Sequence, residues 1–177
     1  MTVNDVVGVD PSLTATGIAT SAGVTVVKVK AKGMQRLDEI AMSVDDATTR
    51  DRFSEALPHV FIEGYAYGRH NQAHQLGELG GVIRHGLWTR SIAYTDVPPS
   101  VLKKFATGKG NAGKPDMLDA ARRAGYEDSN DDNAVDAWWL RQFGLAVLTE
   151  QGADTITGVE LFAYRLAAVA KFEAVAS

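Results

Sequence analysis

Short apolar runs alternate with turn residues near the start of the chain, as in β-strands joined by tight turns. Residues 6–9 form an apolar run, and Asp10 stands where that run ends. A short apolar run bounded by turn residues predicts a buried central strand. The runs 16–21 and 24–30 are rich in β-branched residues and predict an antiparallel hairpin that turns at 21–23.

The rest of the chain alternates between helical and strand patterns. Apolar residues at helical spacing predict helices over 34–56 and 71–90, with a fourth strand at 59–62 between them and a fifth at 92–94. Three strands followed by strand–helix–strand, with helices on both faces, predict an α/β fold with three layers and a five-stranded mixed sheet. The remaining predicted helices are 101–106 with Ser100 as its cap, 114–123, 132–148 with a cap within 129–131, and 159–174.

Bulk composition narrows the class of protein. The chain has 177 residues, enough for one domain with a core of its own, and it contains no cysteine. Disulfides and thiolate metal sites are therefore excluded. No apolar run reaches the roughly 18 residues of a membrane span, and the N-terminus has no signal-peptide pattern. We expect a cytoplasmic protein that does not contact a membrane.

Charge is distributed unevenly along the chain. The net charge is −4, yet eight basic residues face only three acidic ones between Arg84 and Arg123. A local basic excess in an acidic chain indicates an anionic partner for that segment, because binding depends on where charges lie. The basic residues are Arg84, Arg90, Lys103, Lys104, Lys109, Lys114, Arg122 and Arg123.

Acidic residues stand at the ends of predicted elements. Asp10 ends the first strand, Glu63 ends the fourth, and Asp132 and Asp136 are four positions apart at the start of a helix, on one face. Carboxylates brought together repel each other and raise each other's pKa, which a divalent cation relieves. Hard oxygen ligands favour Mg²⁺ or Mn²⁺ over Zn²⁺. The set predicts a two-metal site of the kind that hydrolyses phosphodiesters.

Each acid also has a simpler explanation when taken alone. Asp131 and Asp132 would favour the positive end of a helix dipole, and Glu63 would be a solvent-facing strand terminus. Two strand-end carboxylates together with a helical pair are harder to explain in this way. The metal site is therefore the preferred interpretation.

Three motifs resemble one known family. The sequence Gly-Val-Asp-Pro-Ser around Asp10 with the following Thr-Gly, Phe-Ile-Glu at Glu63, and Asp-Asn-Ala-Val-Asp-Ala at 132–137 resemble the RuvC family of Holliday junction resolvases. The helix segment 75–82 and the basic segment 103–114 are also similar to that family. The overall pattern resembles a phage-encoded member.

This resemblance implies an RNase H-like fold and a homodimer. It implies Mg²⁺-dependent, paired symmetric nicks across a four-way DNA junction, leaving 5′-phosphate and 3′-hydroxyl ends. Two Mg²⁺ ions would be bound, with Mn²⁺ able to substitute, and a phage protein would act in the host cytoplasm. The implied catalytic residues and metal ligands are Asp10, Glu63, Asp136 and, in fourth place, Asp132 or Asn133. We choose Asp132 because a carboxylate is the better Mg²⁺ ligand.

The basic segment is expected to contact DNA. Lys103 and Lys114 match positions where the family has basic residues near the scissile phosphate, and such charges bind phosphate and stabilise the transition state. Lys104 and Lys109 are equally compatible with a solvated surface. We include all four as predicted DNA-binding residues.

Aromatic and basic residues follow Glu63 directly. Tyr65, Tyr67 and Arg69 lie beside the predicted site and are expected to stack on splayed bases at the junction centre. The alternative is an ordinary surface loop.

The resemblance spans residues 6–145. We therefore expect residues 1–150 to form one nuclease domain and 151–177 a helical extension packed on it, as a packing helix or a dimer contact. Two other functions stay open: a broader branched-DNA endonuclease for forks, flaps and three-way junctions, and a non-catalytic junction-binding protein. An actin-like or sugar-kinase-like ATPase would need a second domain, for which the chain is too short.

Overall fold

The structure, a computed structural model, describes residues 6–49, 57–64, 73–148, 165, 167–170 and 172. Its strands are β1 (Val6–Asp10), β2 (Thr16–Thr20), β3 (Gly23–Val27), β4 (His59–Glu63) and β5 (Tyr94–Val97). Its helices are α1 (Gly33–Thr49), α2 (Ala73–Thr89), α3 (Pro99–Thr107), α4 (Lys114–Arg123) and α5 (Asp132–Leu148). Among these residues, no helix combines the length and the apolarity needed to cross a membrane.

The strands form one mixed sheet in the order β3-β2-β1-β4-β5. β1 pairs antiparallel with β2 and parallel with β4, while β2 pairs antiparallel with β3 and β4 parallel with β5. The predicted α/β fold with a five-stranded mixed sheet is confirmed.

Alternation along β1 sends its side chains to two different cores. Val7 and Val9 pack with apolar residues of α1 and α2 on one face of the sheet. Val6 belongs to the core formed with α3, α4 and α5 on the other face. Because successive strand residues point to opposite faces, Gly8 and Asp10 share the α5 face with Val6. Helices cover both faces, which gives the predicted three layers.

Gly8 allows α5 to lie directly on the sheet. A Cβ at this position would stand 2.2 Å from the carbonyl oxygen of Ala137 and 2.6 Å from the amide nitrogen of Arg141. Both are backbone atoms, so no side-chain rearrangement could make room. Contact at this distance brings the first turns of α5 over the end of β1.

The same alternation orients β4. Val60 and Ile62 pack toward α1 and α2, whereas Phe61 packs toward α5. A Cβ at Gly144 of α5 would approach the Phe61 ring to 2.4 Å. Glu63, two residues after Phe61, therefore lies on the α5 face, as does Asp10.

Two predicted strands have different bounds in the structure. β3 ends at Val27 rather than at residue 30, because Val27 pairs with Thr16, the first residue of β2, and no β2 residue remains to pair further. The predicted strand at 92–94 is instead β5 at Tyr94–Val97. The amide of Ile92 donates to the carbonyl of Leu87 and closes α2, so Ile92 does not join the sheet.

The predicted cap of α3 is wrong. α3 begins at Pro99, so Ser100 lies within its first turn instead of preceding it. The amides of Val101 and Leu102 both donate to the carbonyl of Pro98, which is the N-cap residue and makes no side-chain cap bond. Proline fits the first helical position because it has no amide hydrogen to leave unpaired.

The other helix predictions agree with the structure over the described residues. α4 and α5 have the predicted bounds of 114–123 and 132–148. α1 is helical to Thr49, and α2 runs from Ala73 to Thr89, one residue short of its predicted end at 90. The predicted parts 50–56 and 71–72 lie outside the described residues.

Described residues near the C-terminus are helical and contact α3 and α5. Arg165 is only 3% exposed, donates from Nε to the carbonyl of Phe105 and lies over the rings of Phe105 and Trp139. The Phe172 ring packs edge-on against Phe143 of α5. These contacts attach this segment to the core on the α5 face.

Candidate active site

Asp10 is the buried carboxylate at the end of β1, with 6% of its surface exposed. The chain reverses immediately after it through a turn held by two hydrogen bonds. The Thr16 hydroxyl donates to the Ser12 carbonyl at 2.7 Å, and the Ser12 amide donates to the Thr16 hydroxyl at 3.1 Å. This turn starts β2 and fixes Asp10 opposite Gly17 in the ladder.

Asp10 and Glu63 occupy the ends of two adjacent parallel strands. The ladder pairs Val9 with Ile62, so each carboxylate is the next residue along its strand. Their side chains share a hydrogen bond. Burial, followed by the charge of Glu63 and that of Asp136, holds the pKa of Asp10 well above its ordinary value.

Asp131 caps the helix that supplies the other acids. Its Oδ1 accepts hydrogen bonds from the amide of Asn133 at 3.0 Å and from the Asn133 side-chain nitrogen at 3.1 Å. Burial raises the pKa of Asp131, but these hydrogen bonds and the charge of Lys28 outweigh it and lower that pKa below its ordinary value. The predicted cap within 129–131 is therefore Asp131, and the side chain of Asn133 binds this cap.

Asp136 lies one turn into α5, on the side facing β1 and β4. Burial, followed by the charges of Glu63 and Asp132, raises its pKa to about 7. The two acids that act on Asp136, Glu63 and Asp132, are both residues that the sequence predicts in the same site. The four predicted acids thus form an acidic cluster, in which the charges of Glu63 and Asp136 act on Asp10 and those of Glu63 and Asp132 act on Asp136.

Two of the predicted lysines face this cluster. The charges of Lys103 on α3 and Lys114 at the start of α4 both lower the pKa of Asp136, and Lys114 also acts on Asp10. Lys114 Nζ binds Oδ2 of Asp132 at 2.5 Å. Since the Lys114 side chain is 74% exposed, this ion pair contributes little to stability. It places an exposed cation at the rim of the site.

The donor set suits a hard divalent cation. All four clustered side chains end in carboxyl groups, and burial together with the neighbouring acids raises the pKa values of Asp10 and Asp136 despite the nearby lysines. Over the described ranges, however, no three histidine or acidic side chains are arranged as a coordination shell. The contacts explain this, because Asp132 is turned to Lys114, and Asp10 and Glu63 bind each other. The donor atoms therefore suit the ion in chemistry, while the described side chains do not form its coordination shell.

Of the other predicted DNA-binding residues, the structure describes Lys104 and Lys109. Lys104 is on α3, and Lys109 is exposed in the loop between α3 and α4, where its amide donates to the Thr107 hydroxyl. Tyr65, Tyr67 and Arg69 lie outside the described residues.

Sequence reasoning missed one residue at the site. Lys28, which immediately follows β3, forms an ion pair with Asp131 at 3.5 Å. Valine and lysine alternate over 24–30, and this pattern predicts only that Lys28 lies on the polar face of a strand. Finding it required the strand order, which places the end of β3 at the same edge of the sheet as Asp10 and Glu63.

Comparison with known proteins identifies the fold. No family model and no curated protein matches this chain. A solved structure of Thermus thermophilus RuvC has a TM-score of 0.58 at 20% identity, covering 80% of this chain and 94% of that one. T. thermophilus RuvC in complex with Holliday junction substrate gives 0.60 at 18% identity, covering 77% and 89%. The predicted resemblance to RuvC and the RNase H-like fold are confirmed as a likeness of fold.

Proposed function

We propose that this protein is a Mg²⁺-dependent endonuclease that resolves four-way DNA junctions by paired, symmetric phosphodiester hydrolysis. The products would carry 5′-phosphate and 3′-hydroxyl ends. The observation that carries the proposal is the cluster of Asp10, Glu63 and Asp136, coupled across three elements of a RuvC-like fold. Lysines at its rim are suited to a phosphate group.

The acids are proposed as the metal ligands. Asp10, Glu63, Asp132 and Asp136 would hold two Mg²⁺ ions, or Mn²⁺, which supply an activated water and stabilise the leaving oxygen. Asp132 is preferred to Asn133 as the fourth ligand because the amide of Asn133 is engaged with Asp131, whereas the charge of Asp132 acts on Asp136.

The lysines are proposed to bind and orient the scissile strand. Lys103 and Lys114 act electrostatically on the acids, so a phosphate drawn to them would lie next to the carboxylates. Their positive charge would also stabilise the charge that develops on the phosphate oxygens during hydrolysis. Lys104, Lys109, Tyr65, Tyr67 and Arg69 are proposed to extend this contact to the neighbouring nucleotides.

Paired nicks require two active sites. The two cleaved strands of a four-way junction are related by two-fold symmetry, and a two-fold dimer presents two equivalent sites in that relation. We therefore propose a homodimer. Light scattering coupled to size-exclusion chromatography should give a mass of about twice the 19.0 kDa of one chain.

The decisive experiment compares DNA shapes. Labelled four-way, three-way and linear duplex DNA are incubated with the protein in Mg²⁺ or in EDTA. We expect symmetric cleavage of the four-way junction in Mg²⁺ alone, and products that DNA ligase seals without further treatment. Ligation tests the predicted end chemistry.

Other outcomes separate the competing functions. Equal cleavage of three-way and four-way DNA would indicate the broader branched-DNA endonuclease. Tight junction binding without cleavage in Mg²⁺ or Mn²⁺ would indicate a non-catalytic junction-binding protein. Neither binding nor cleavage of branched DNA would overturn the proposal.

A further inference from the structure

Basic residues flank the acidic cluster on two sides along one edge of the sheet. Along this edge the end of β3 lies next to the start of β2. Asp10 at the end of β1 and Glu63 at the end of β4 come next in spatial order. β5 ends next to Glu63 and leads into α3, which carries Lys103. At the opposite end of this row, β3 leads directly into Lys28.

The lysines after β3 have a defined face. Val24 and Val26 pack into the core on the α5 side, whereas Val27 and Val29 pack toward α1 and α2. The side chains thus alternate through residue 29, and Lys28 lies on the α5 side with the acids. Its ion pair with Asp131, the cap residue of α5, agrees with this orientation. Lys30 and Lys32 continue the alternating series, and both are exposed.

Neighbouring acids do not cancel this positive charge. Lys28 is 68% exposed although it pairs with Asp131, so its ammonium group stays accessible to a second anion. The nearest charge on the following helix is Arg36, which donates to the carbonyl of Ala31 and adds to the positive field. The first acidic residue of α1 is Asp38.

We propose that Lys28, Lys30 and Lys32 form a second phosphate-binding rim, the β3 lysine rim, which holds the DNA backbone on the far side of the acids from Lys103 and Lys114. This proposal rests on the proposed nuclease function and adds a path for the bound strand. Adjacent strands are about 4.8 Å apart, so the edge from β3 to β5 spans about 19 Å. One strand of duplex DNA carries about five or six phosphates over that length. The scissile phosphate would lie between two basic rims, with the acids in the middle.

A matched pair of variants tests the rim. Lys30→Ala removes one charge from it, and Arg123→Ala removes one exposed charge at the far end of α4. Binding of a labelled four-way junction is measured in EDTA over a salt series. We expect Lys30→Ala to reduce the slope of log affinity against log salt by about 0.9, the value for one lost phosphate contact. Affinity should fall several-fold, while single-turnover cleavage at saturating protein keeps its rate.

Crosslinking gives a second, independent measurement. The chain has no cysteine, so Lys30→Cys introduces a unique thiol to which a photoactivated crosslinker can be attached. We expect crosslinks to the cleaved strand, a few nucleotides from the nick on one side only. The same label on Arg123→Cys should give background crosslinking.

The outcomes distinguish this proposal from the function on which it rests. If the wild type and Arg123→Ala bind and cleave the junction while Lys30→Ala keeps the wild-type salt slope, the rim is overturned and the nuclease stands. Background crosslinking from Lys30→Cys would overturn it in the same way. If the wild type neither binds nor cleaves branched DNA, the proposed function itself fails.

Discussion

The Cβ that Gly17 lacks would lie 2.0 Å from the carbonyl oxygen of Asn133, so the backbone of β2 lies directly against that of α5 at this point. Gly17 is also the ladder partner of Asp10. One glycine thus sets the distance between the strand beside the buried acid and the helix that carries Asp132 and Asp136. Any side chain at this position must push the helix away from the sheet.

We therefore predict that Gly17→Ala destabilises the protein and inactivates it. Overpacking in a core costs typically about 1–3 kcal/mol, and the obstacle here is backbone that cannot change rotamer. A loss of about 3 kcal/mol or more is expected, measured by urea unfolding followed by circular dichroism. Cleavage by the folded fraction should also fall, because the acids on α5 move relative to Asp10.

Gly81→Ala is the control for this substitution. A Cβ at Gly81, in the interior of α2, would meet no atom within 4 Å. Alanine favours a helix over glycine by about 1 kcal/mol, so this variant should be as stable as the wild type or slightly more stable. Equal unfolding curves for Gly17→Ala and the wild type would contradict the close contact of β2 with α5.

The raised pKa of Asp136, caused by burial and then by its acidic neighbours, predicts an unusual dependence of stability on pH. The pKa of Asp136 is about 7 in the folded chain against an ordinary 3.8, so the folded state takes up this proton more readily than the unfolded state. Stability from this group is therefore complete below pH 4 and is lost as the pH rises through 7. In EDTA, lowering the pH from 8 to 5 should add about 2–3 kcal/mol from Asp136.

Asp136→Asn tests this contribution, because it removes the titrating carboxyl group together with its charge on Asp10. The variant should be more stable than the wild type at pH 8 in EDTA, and the difference should shrink toward pH 5. Mg²⁺ should stabilise the wild type at pH 8 and have little effect on the variant. A constant difference between the two proteins across this range would show that the pKa of Asp136 is not raised in the folded protein.

Removing one acid should separate catalysis from binding. Asp10→Asn and Glu63→Gln keep the shape of each side chain but remove a ligand charge, so we expect Mg²⁺-dependent cleavage of a four-way junction to fall below detection. Junction affinity in EDTA should change by less than about three-fold, because the lysines remain. Cleavage at the wild-type rate in either variant would remove these residues from the catalytic set.

Lys114 should contribute to both affinity and rate. It is exposed, and its charge acts on both Asp10 and Asp136. Lys114→Ala is expected to weaken junction binding, to lower the salt slope by about 0.9, and to slow single-turnover cleavage. Lys114→Arg keeps the charge and should recover the salt slope. If Lys114→Ala changes neither slope nor rate, this lysine is only a solvated surface residue.

The sequence was sufficient to predict the elements that carry the acids, because strand ends and helical spacing are local patterns. Asp10, Glu63 and the start of α5 were predicted in this way, and the hairpin and the sheet followed. Errors arose where hydrogen bonds between elements decide a boundary. Ile92 has the apolar character of a strand residue, but its amide bonds to Leu87. Val27 ends β3 only because β2 begins at Thr16.

Side-chain contacts between residues that are far apart in the sequence could not be predicted. Lys28 alternates with valines like any exposed strand residue, and its position beside Asp131 follows from the pairing of three strands. Arg165 lies in an alanine-rich segment whose pattern predicts a helix but gives no partner. An arginine in such a segment is normally solvated, and its burial against α3 and α5 depends on tertiary packing alone.

Arg165 leads to the last prediction, which concerns stability. Its guanidinium lies 5.0 Å from the centre of the Trp139 ring and 5.8 Å from that of Phe105, and its Nε donates to the Phe105 carbonyl. Arg165→Ala would remove both ring contacts and leave that carbonyl without this donor in the core, at a cost of about 2–4 kcal/mol. Arg165→Lys keeps the charge but loses the planar group and the Nε donor, so an intermediate loss is expected. Arg123→Ala, which is exposed on α4, should change the free energy of unfolding by less than about 0.5 kcal/mol. If Arg165→Ala unfolds at the same urea concentration as Arg123→Ala, the C-terminal segment does not stabilise the core that carries α3 and α5.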